Sequence, residues 1–378
     1  MLQQPPLSLY IHMPWCVRKC PYCDFNSHHK PAKIPEQAYL ERLILQAKQV
    51  SHWGFRSEIV SIFIGGGTPN LISPESYQQL FSVLRNEFTF AKGIEITMEA
   101  NPGAGENQNF KAYREVGINR LSLGAQSFCD TQLKALGRIH STEEIKQAYL
   151  KAREAGFDNI NIDIMHGLIN QTIDEGIADL QQAIKLNPNH ISWYQLTLEP
   201  NTVFAKKPPS TTDIDTLFEM EQQGYALLNK HGYYQYEVSA FSKSNQQCRH
   251  NLNYWQFGDY IGLGAGAHGK VTNITSQEVL RTTHYKRPET YMLSQKDFAT
   301  ITPIRKEDLA FEFMLNALRL NQPISKYLLE SRTGLDFSLL ETTLIHLKKR
   351  QLITIKNDCF TLTTLGRQHL NDVISTFL

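Results

Sequence analysis

The sequence predicts an α/β protein, a partial (β/α)6 TIM-like barrel followed by a small winged-helix-like α+β domain at the C-terminus. Three observations carry this reading. Short β-branched apolar runs alternate with helical patterns, as in parallel sheets built from βα units. Six such units follow one another, three quarters of a closed barrel. From about Arg305 the pattern changes to successive helices and then two short strands. An open doubly wound sheet would satisfy the same alternation.

The strands read as Leu7 to His12, Ile59 to Ile64, Ile94 to Glu99, Arg120 to Leu123, Ile160 to Met165 and Ile191 to Leu198. Helix starts have a mechanism: Ser73-Pro74 places a cap before an N1 proline, while Ser141-x-x-Glu144 and Thr172-x-x-Glu175 are capping boxes. The expected organisation is a barrel over 1–240, a connecting segment over 241–304 and a C-terminal domain over 305–378. In the last of these a helix to Leu320, a shorter one near Lys326 to Ser331, another from Phe337 to Gln351 and strands around Ile353 and Phe360 give the winged-helix order.

The 378 residues exceed the usual size of one core, and 38 basic against 37 acidic side chains give a net charge of +1. That balance excludes a strongly basic global footprint for nucleic acid. No basic start followed by an apolar run marks secretion, and no stretch is long and apolar enough to span a bilayer. The expected location is cytoplasmic.

Active sites on parallel sheets lie where strands end and βα loops begin. Strand one runs into Cys16, Cys20 and Cys23 at C-x3-C-x2-C spacing, and strand two into Gly65-Gly66-Gly67-Thr68-Pro69. Strand three ends in Glu99-Ala100-Asn101-Pro102 and strand four leads to Gly124-Ala125-Gln126-Ser127. Strand five carries Asp163 and His166, and strand six ends in Thr197-Leu198-Glu199-Pro200. Three thiolates are one ligand short of a closed zinc site, which His12, His28 or His29 would complete. They better suit a four-iron cluster that leaves one iron open, because zinc motifs usually repeat in pairs and neither C-x2-C…C-x2-C nor C-x2-C…H-x3-H appears. The remaining Cys129, Cys248 and Cys359 are isolated and read as reduced thiols. Glycines lacking Cβ let backbone approach a ligand, although a tight turn needs the same residues. Asp163 lies inside the apolar run Asn161-Ile162-Asp163-Ile164, so its carboxylate faces the barrel, where an unpaired charge is costly and calls for a polar partner.

The cysteine loop with its aromatic-x-His-x-Pro lead-in, Gly65-Gly66-Gly67-Thr68-Pro69 and Leu121-Ser122-Leu123-Gly124-Ala125-Gln126-Ser127-Phe128 together resemble the radical S-adenosylmethionine (SAM) enzymes. The resemblance is closest to the branch that holds oxygen-independent coproporphyrinogen III oxidase and its heme-chaperone relatives, and it covers almost the whole chain. It implies a [4Fe-4S] cluster on Cys16, Cys20 and Cys23 whose open iron takes the amino and carboxylate groups of SAM, with reductive cleavage of the sulfonium in family members. By matching motifs it implies SAM contacts from Tyr10, Gly66, Gly67, Thr68, Glu99, Gln126, Arg138 and Asp163. The chemistry of these groups agrees: backbone at Gly66 to Thr68 for the methionine amino end, a carboxylate for ribose hydroxyls or an ammonium, and Arg138 for a carboxylate. A surface arginine is the other, less favoured reading of Arg138.

Two departures separate the chain from the decarboxylases. Asp24-Phe25 follows Cys23 where those enzymes carry Gly-Cys, and nine residues precede Tyr10 where they have a longer extension. Both features match the heme-chaperone branch. So does H-N-x-x-Y-W in His250-Asn251-Leu252-Asn253-Tyr254-Trp255, for which heme contact has been proposed there. An imidazole with flat aromatic neighbours suits heme, and a structural histidine beside a Trp-Tyr cluster has the same appearance. The expected function is a heme chaperone that binds the cluster, SAM and heme and hands heme to an acceptor protein. The alternatives are a radical SAM oxidoreductase acting on coproporphyrinogen III and a zinc-stabilised nucleic-acid adaptor. The implied partners are heme, a heme acceptor that would bring the chain to the membrane periphery, and an electron donor; oligomeric state is left open.

Two segments resemble motifs without their chemistry. Gly262 to Val271 fits G-x-G-x-x-G and nearly a P-loop, but Val271 offers no hydroxyl to magnesium and no βαβ unit with an acidic residue about twenty positions later begins here. It reads as a glycine-rich turn near the open sheet end. Lys348-Lys349-Arg350 reads as a solvated helix C-terminus complementing the dipole, and no nucleic-acid partner is expected.

Overall fold

The computed structural model describes residues 1–55, 57–103 and 109–378. Six parallel strands form in the expected places: β1 Leu7–Met13, β2 Ile59–Gly66, β3 Phe90–Ala100, β4 Arg120–Gln126, β5 Asn159–His166 and β6 His190–Gln195. Each is followed by helix, among them Glu36–Ser51, Pro74–Glu87, Thr142–Glu154 and Ile173–Lys185. Both capping boxes are made, with Ser141 and Thr172 accepting from the third helical N–H and the glutamates reaching back. Ser73 accepts from the Ser76 N–H ahead of its proline.

The sheet extends past the six strands. A hairpin, β7 Tyr234–Glu237 and β8 Ala240–Ser242, adds antiparallel to β6. On the other edge β9 Asp259–Leu263 pairs parallel with β1, and β10 His268–Asn273, β11 Glu278–Thr283 and β12 Thr300–Pro303 follow antiparallel. Among the described residues the order is β12-β11-β10-β9-β1-β2-β3-β4-β5-β6-β8-β7, a twelve-stranded sheet that does not close. The segment read as a connection therefore supplies a seventh parallel strand. Gly262 hid it: glycine normally weakens a strand, but here a Cβ would meet the His268 carbonyl oxygen at 2.1 Å, so the close return of β10 needs it. Lys270, the lysine of the near-P-loop, is buried on β10 in an ion pair of 2.8 Å with Asp259.

Strand alternation sorts the two faces. Leu7, Leu9, Ile11, Ile62, Ile64, Leu121, Leu123, Ile160 and Ile162 are fully buried in the main core. Intervening residues turn to the barrel interior and are polar: Ser8 bonds Ser61, and Ser122, Asn161 and Asp163 bond one another. Filled TIM barrels stack branched aliphatic residues inside; this interior is built to hold something polar.

The C-terminal segment has its own core around Phe313, Leu329, Leu344, Leu347 and Phe360. Helices Leu309–Ala317, Lys326–Thr333 and Ser338–Lys349 precede two strands, Ile353–Lys356 and Cys359–Leu362, and the short strand Ile324–Ser325 completes a three-stranded sheet. This is the order read from the sequence, with two terminal helices, Thr364–Gln368 and Leu370–Ser375, beyond it. Leu2, from the other end of the chain, is part of that core.

Candidate functional site

The loop after β1 is shaped by backbone bonds. Trp15–Cys16 pairs parallel with His28–His29, so the segment carrying Cys20 and Cys23 is closed off at its base. The Lys19 ammonium ties the loop by donating to the Phe25 and Ser27 carbonyls at 3.0 and 3.1 Å. All three thiols are free and line one cavity of about 360 Å³. Burial pushes the Cys16 thiol up to about 11, and each neighbouring thiol raises it further, while Thr68 and Arg138 oppose the shift. Arg138 lies 3.6 Å from the Cys20 sulfur. Three thiols around a shared space, beside a buried guanidinium, are a donor set suited to a cluster of net negative charge; ligation displaces the thiol protons. His12, His28 and His29 do not line this cavity. Instead His12 is held between the Tyr10 hydroxyl and the Asn26 carbonyl, each at 2.9 Å. Among the described residues no three His, Cys, Asp or Glu side chains are gathered to grip a single metal ion.

The glycine turn after β2 packs under the cysteine loop. Gly66 has φ +109°, and a Cβ there would lie 2.3 Å from the His12 ring; one at Gly67 would meet the Trp15 and Met13 carbonyl oxygens at 2.6 and 2.8 Å. The N–H groups of Gly67 and Thr68 donate to those same carbonyls, and that of Gly66 donates to Glu99 at 3.1 Å. With these donors engaged, the turn has carbonyl oxygen to offer an ammonium.

Around the rest of the cavity stand the expected polar groups. Gly66, Gly67, Thr68, Glu99, Gln126, Arg138 and Asp163 all line it. Burial, reinforced by Asp163, pushes the Glu99 carboxyl up to about 7 despite the Gly66 N–H. Burial also raises Asp163, against hydrogen bonds from Ser122, Ser192 and Asn161. Gln126 sits at a β-bulge with φ +71°, and its amide oxygen accepts from Tyr194 at 2.7 Å. Arg138 follows the helix Asp130–Ala135 and donates to Asn101 at 2.7 Å and to the Gly124 carbonyl at 3.0 Å, so it is a half-buried wall residue turned into the cavity.

Three expectations about strand ends come out differently. Tyr10 lines a second cavity, not the one with the cysteines, because it shares its strand face with His12 and stacks on Phe63 at 6.5 Å. His166 turns outward, with its ring 4.4 Å from that of Trp193. Strand β6 stops at Gln195, so Thr197 and Glu199 bond each other at the surface, and β6 brings His190, Ser192 and Tyr194 to the cavity. Tyr22, Arg120, Ser122, Asn161, His190 and Trp255 also line the cavity and were missed. The available signal was period two: Arg120, Ser122, Gly124 and Gln126 are alternate residues of one strand.

The second cavity, about 720 Å³, shares Phe25, Gly66 and Glu99 with the first. It is lined by Tyr10, His12, His250, Tyr254, Tyr260 and His268, with Lys286. Its volume falls within the roughly 300–1,000 Å³ of small-molecule sites. His250 lies on the helix Arg249–Trp255. Its Nδ1 pairs with the Ser61 hydroxyl at 3.2 Å and Phe63 packs on its face at 5.2 Å. Burial holds the imidazole neutral, with a pKa near 3. With Nδ1–H donating to Ser61, Nε2 carries the lone pair that is open to a ligand. The two halves of the H-N-x-x-Y-W motif divide between the chambers: His250 and Tyr254 line the second cavity, Asn251 and Trp255 the first. Each pair is i, i+4 on the helix.

A family model described as the radical SAM superfamily matches residues 10–183, and one described as the HemN C-terminal domain matches residues 304–369. The heme chaperone HemW of Haemophilus influenzae is 46% identical over 383 aligned residues, covering 100% of this chain and 99% of the relative. The Escherichia coli heme chaperone HemW is 44% identical, covering 100% of both chains. Among solved structures, the Escherichia coli coproporphyrinogen III oxidase HemN, a radical SAM enzyme, superposes with a TM-score of 0.83 over 99% of this chain and 90% of its own, at 22% identity.

Proposed function

Because this chain belongs to the radical SAM superfamily, in the branch of the HemW heme chaperones, we propose that it carries heme to an acceptor protein in the cytoplasm. The family implies a [4Fe-4S] cluster and SAM. In this reading Cys16, Cys20 and Cys23 hold the cluster. Gly66, Gly67, Thr68, Glu99, Gln126, Arg138 and Asp163 surround SAM, and Tyr10 meets that set from the adjoining cavity beside Glu99. When bound, the cluster supplies one-electron chemistry at an open iron. The protein's part is positional: the Gly66 to Thr68 turn faces an ammonium, Arg138 balances the charge beside Cys20, and the two acids await cationic or hydroxyl partners.

The observation that supports heme as cargo is His250, whose Nδ1 is held by Ser61 while its ring borders an aromatic-lined cavity against the cofactor chamber. A neutral imidazole suits an axial ligand, and Tyr10, Tyr254, Tyr260 and Phe25 suit the faces and edges of a macrocycle. Lys286 borders the same cavity and suits an acid arm. An acceptor protein stationed at the membrane periphery and an electron donor complete the proposal. Among the described residues no helix is long and apolar enough to cross a membrane.

The test is anaerobic reconstitution followed by heme titration of the native chain and His250→Ala. Loss of the Soret shift in the variant is the expected result; unchanged affinity and band position remove His250 from the site. Given coproporphyrinogen III, SAM and reductant, the native protein is expected to form no protoporphyrinogen, and efficient decarboxylation would sink the carrier reading.

A further inference from the structure

Arg120 is the first residue of β4, at the end opposite the cysteine loop, and is 2% exposed. It lines the first cavity, yet its side chain makes no ion pair and no hydrogen bond with any described residue, and its Nε is buried without a partner. The acids around it are engaged elsewhere. Glu95 accepts from the backbone N–H groups of Arg249 and His250 at 2.9 and 3.3 Å. Asp163 accepts from Ser122 and Asn161 at 2.9 and 2.8 Å. Glu237 shares the cavity wall and is pushed up to about 7 by burial, so it is substantially protonated at neutral pH. Burial works against the charge of Arg120, but Cys248, Glu95, Tyr236 and Asp163 more than offset it through space; what the guanidinium lacks is a hydrogen-bonded counter-ion, which a ligand carboxylate would supply.

The neighbouring groups are unspent donors. Trp255 lines the same cavity, and its buried indole N–H has no partner. Asn251 lines it too, with its amide oxygen taken by the Cys248 thiol at 3.4 Å. His190 offers no acceptor, since its Nδ1 is bonded to Asn161 at 2.6 Å and its Nε2 to Tyr236 at 2.8 Å. A fork of charged N–H groups beside neutral donors is the complement of a carboxylate.

We propose that the floor of the first cavity is a carboxylate-binding site, with Arg120 as the ion-pairing residue and Trp255 and Asn251 as neutral donors, and that it takes an acid arm of a bound tetrapyrrole. SAM's own carboxylate is an unsuitable occupant. Arg120 lies four residues along the strand from Gly124, whose carbonyl touches Arg138 at the cysteine end, and that separation is about 13 Å. The helix Arg249–Trp255 supplies the link to the cargo: His250 and Tyr254 border the heme cavity while Asn251 and Trp255 reach this floor. The assignment rests on the heme reading and goes further by naming the group that recognises the propionate.

The experiment titrates the reconstituted full chain with hemin, hemin dimethyl ester and SAM, in native form and as Arg120→Gln, Arg120→Lys and Trp255→Phe. The native protein is expected to prefer hemin over its ester by roughly tenfold or more. Arg120→Gln should lose most of that preference, keeping only the part that Lys286 gives the other acid arm, while its affinities for the ester and for SAM stay within about twofold. Arg120→Lys should retain most of the preference, and Trp255→Phe part of it. If Arg120→Gln does not fold, the native protein with its Arg120→Lys and Trp255→Phe variants decides, and equal native affinity for acid and ester overturns the site. Undiminished hemin affinity in a folded Arg120→Gln protein also overturns it, as does a loss confined to SAM. Native protein that binds no hemin overturns the heme reading and this site with it, a result distinguishable from hemin binding that ignores Arg120.

Discussion

Glu99 is a carboxyl whose charge depends on its company. Burial first, and then Asp163, raise it to about 7 from an ordinary 4.5. In the free protein the folded state therefore binds a proton that the unfolded chain releases between pH 4.5 and 7, and this group's contribution to stability falls as pH rises through that window. A cationic ligand reverses the preference, because ionised Glu99 attracts it. SAM affinity, measured by equilibrium dialysis, is expected to weaken by up to about tenfold per pH unit below 7 and to level off above it. Glu99→Gln should bind more weakly at pH 8 and lose the slope. Residues of this kind were legible because they stand at the C-terminal ends of strands, where chemistry on parallel sheets gathers. Arg120 was not, since it stands at the N-terminal end of β4, and only the register shows that the interior is one continuous cavity. Tyr10 was legible as a functional residue, but which of two chambers it faces depends on the sheet's curvature, which no motif encodes.

Among the elements, the helix Arg249–Trp255 is short, and isolated helices of that length are marginal. It forms because Glu95 on β3 accepts from its first two N–H groups and from the Cys248 thiol. Glu95→Ala is expected to cost about 1–3 kcal/mol, as unsatisfied buried donors do, and to weaken heme binding while leaving SAM binding nearly intact. Thermal melts and the two titrations check this. The capping box at Ser141, which lines neither cavity, offers a control, where Ser141→Ala should lower stability by about 1 kcal/mol with no effect on either ligand. Caps, turns and six strands were readable because each is written in a few adjacent residues. Strand β9 was not, because its five residues, Asp259 to Leu263, run into glycines that serve a contact with β10 and break the apolar pattern.

For the molecule as a whole, the joint between the barrel and the C-terminal core runs through β9 and β10. The Lys270 ammonium sits 4.5 Å from the Phe257 ring centroid and 2.8 Å from Asp259, and Phe257 packs on Phe313 of the second core at 5.8 Å. Leu2 enters that core, and the Gln3 N–H donates to the Ser331 carbonyl at 2.9 Å. Removing one partner of a buried pair leaves an uncompensated charge, so Asp259→Asn should cost about 3–5 kcal/mol. Calorimetry should then show the C-terminal core melting ahead of the barrel. No sequence pattern announced this joint, since its partners are contacts between segments that the chain separates. The division of H-N-x-x-Y-W between two chambers has a thermodynamic consequence. One short helix forms a party wall, and any settling of that wall around one occupant is felt by the other. Linkage makes the effect reciprocal: whatever factor SAM applies to the heme dissociation constant, heme must apply to that of SAM. Two titrations run in opposite order therefore measure a single coupling, and its sign tells whether the cofactor retains the cargo or releases it.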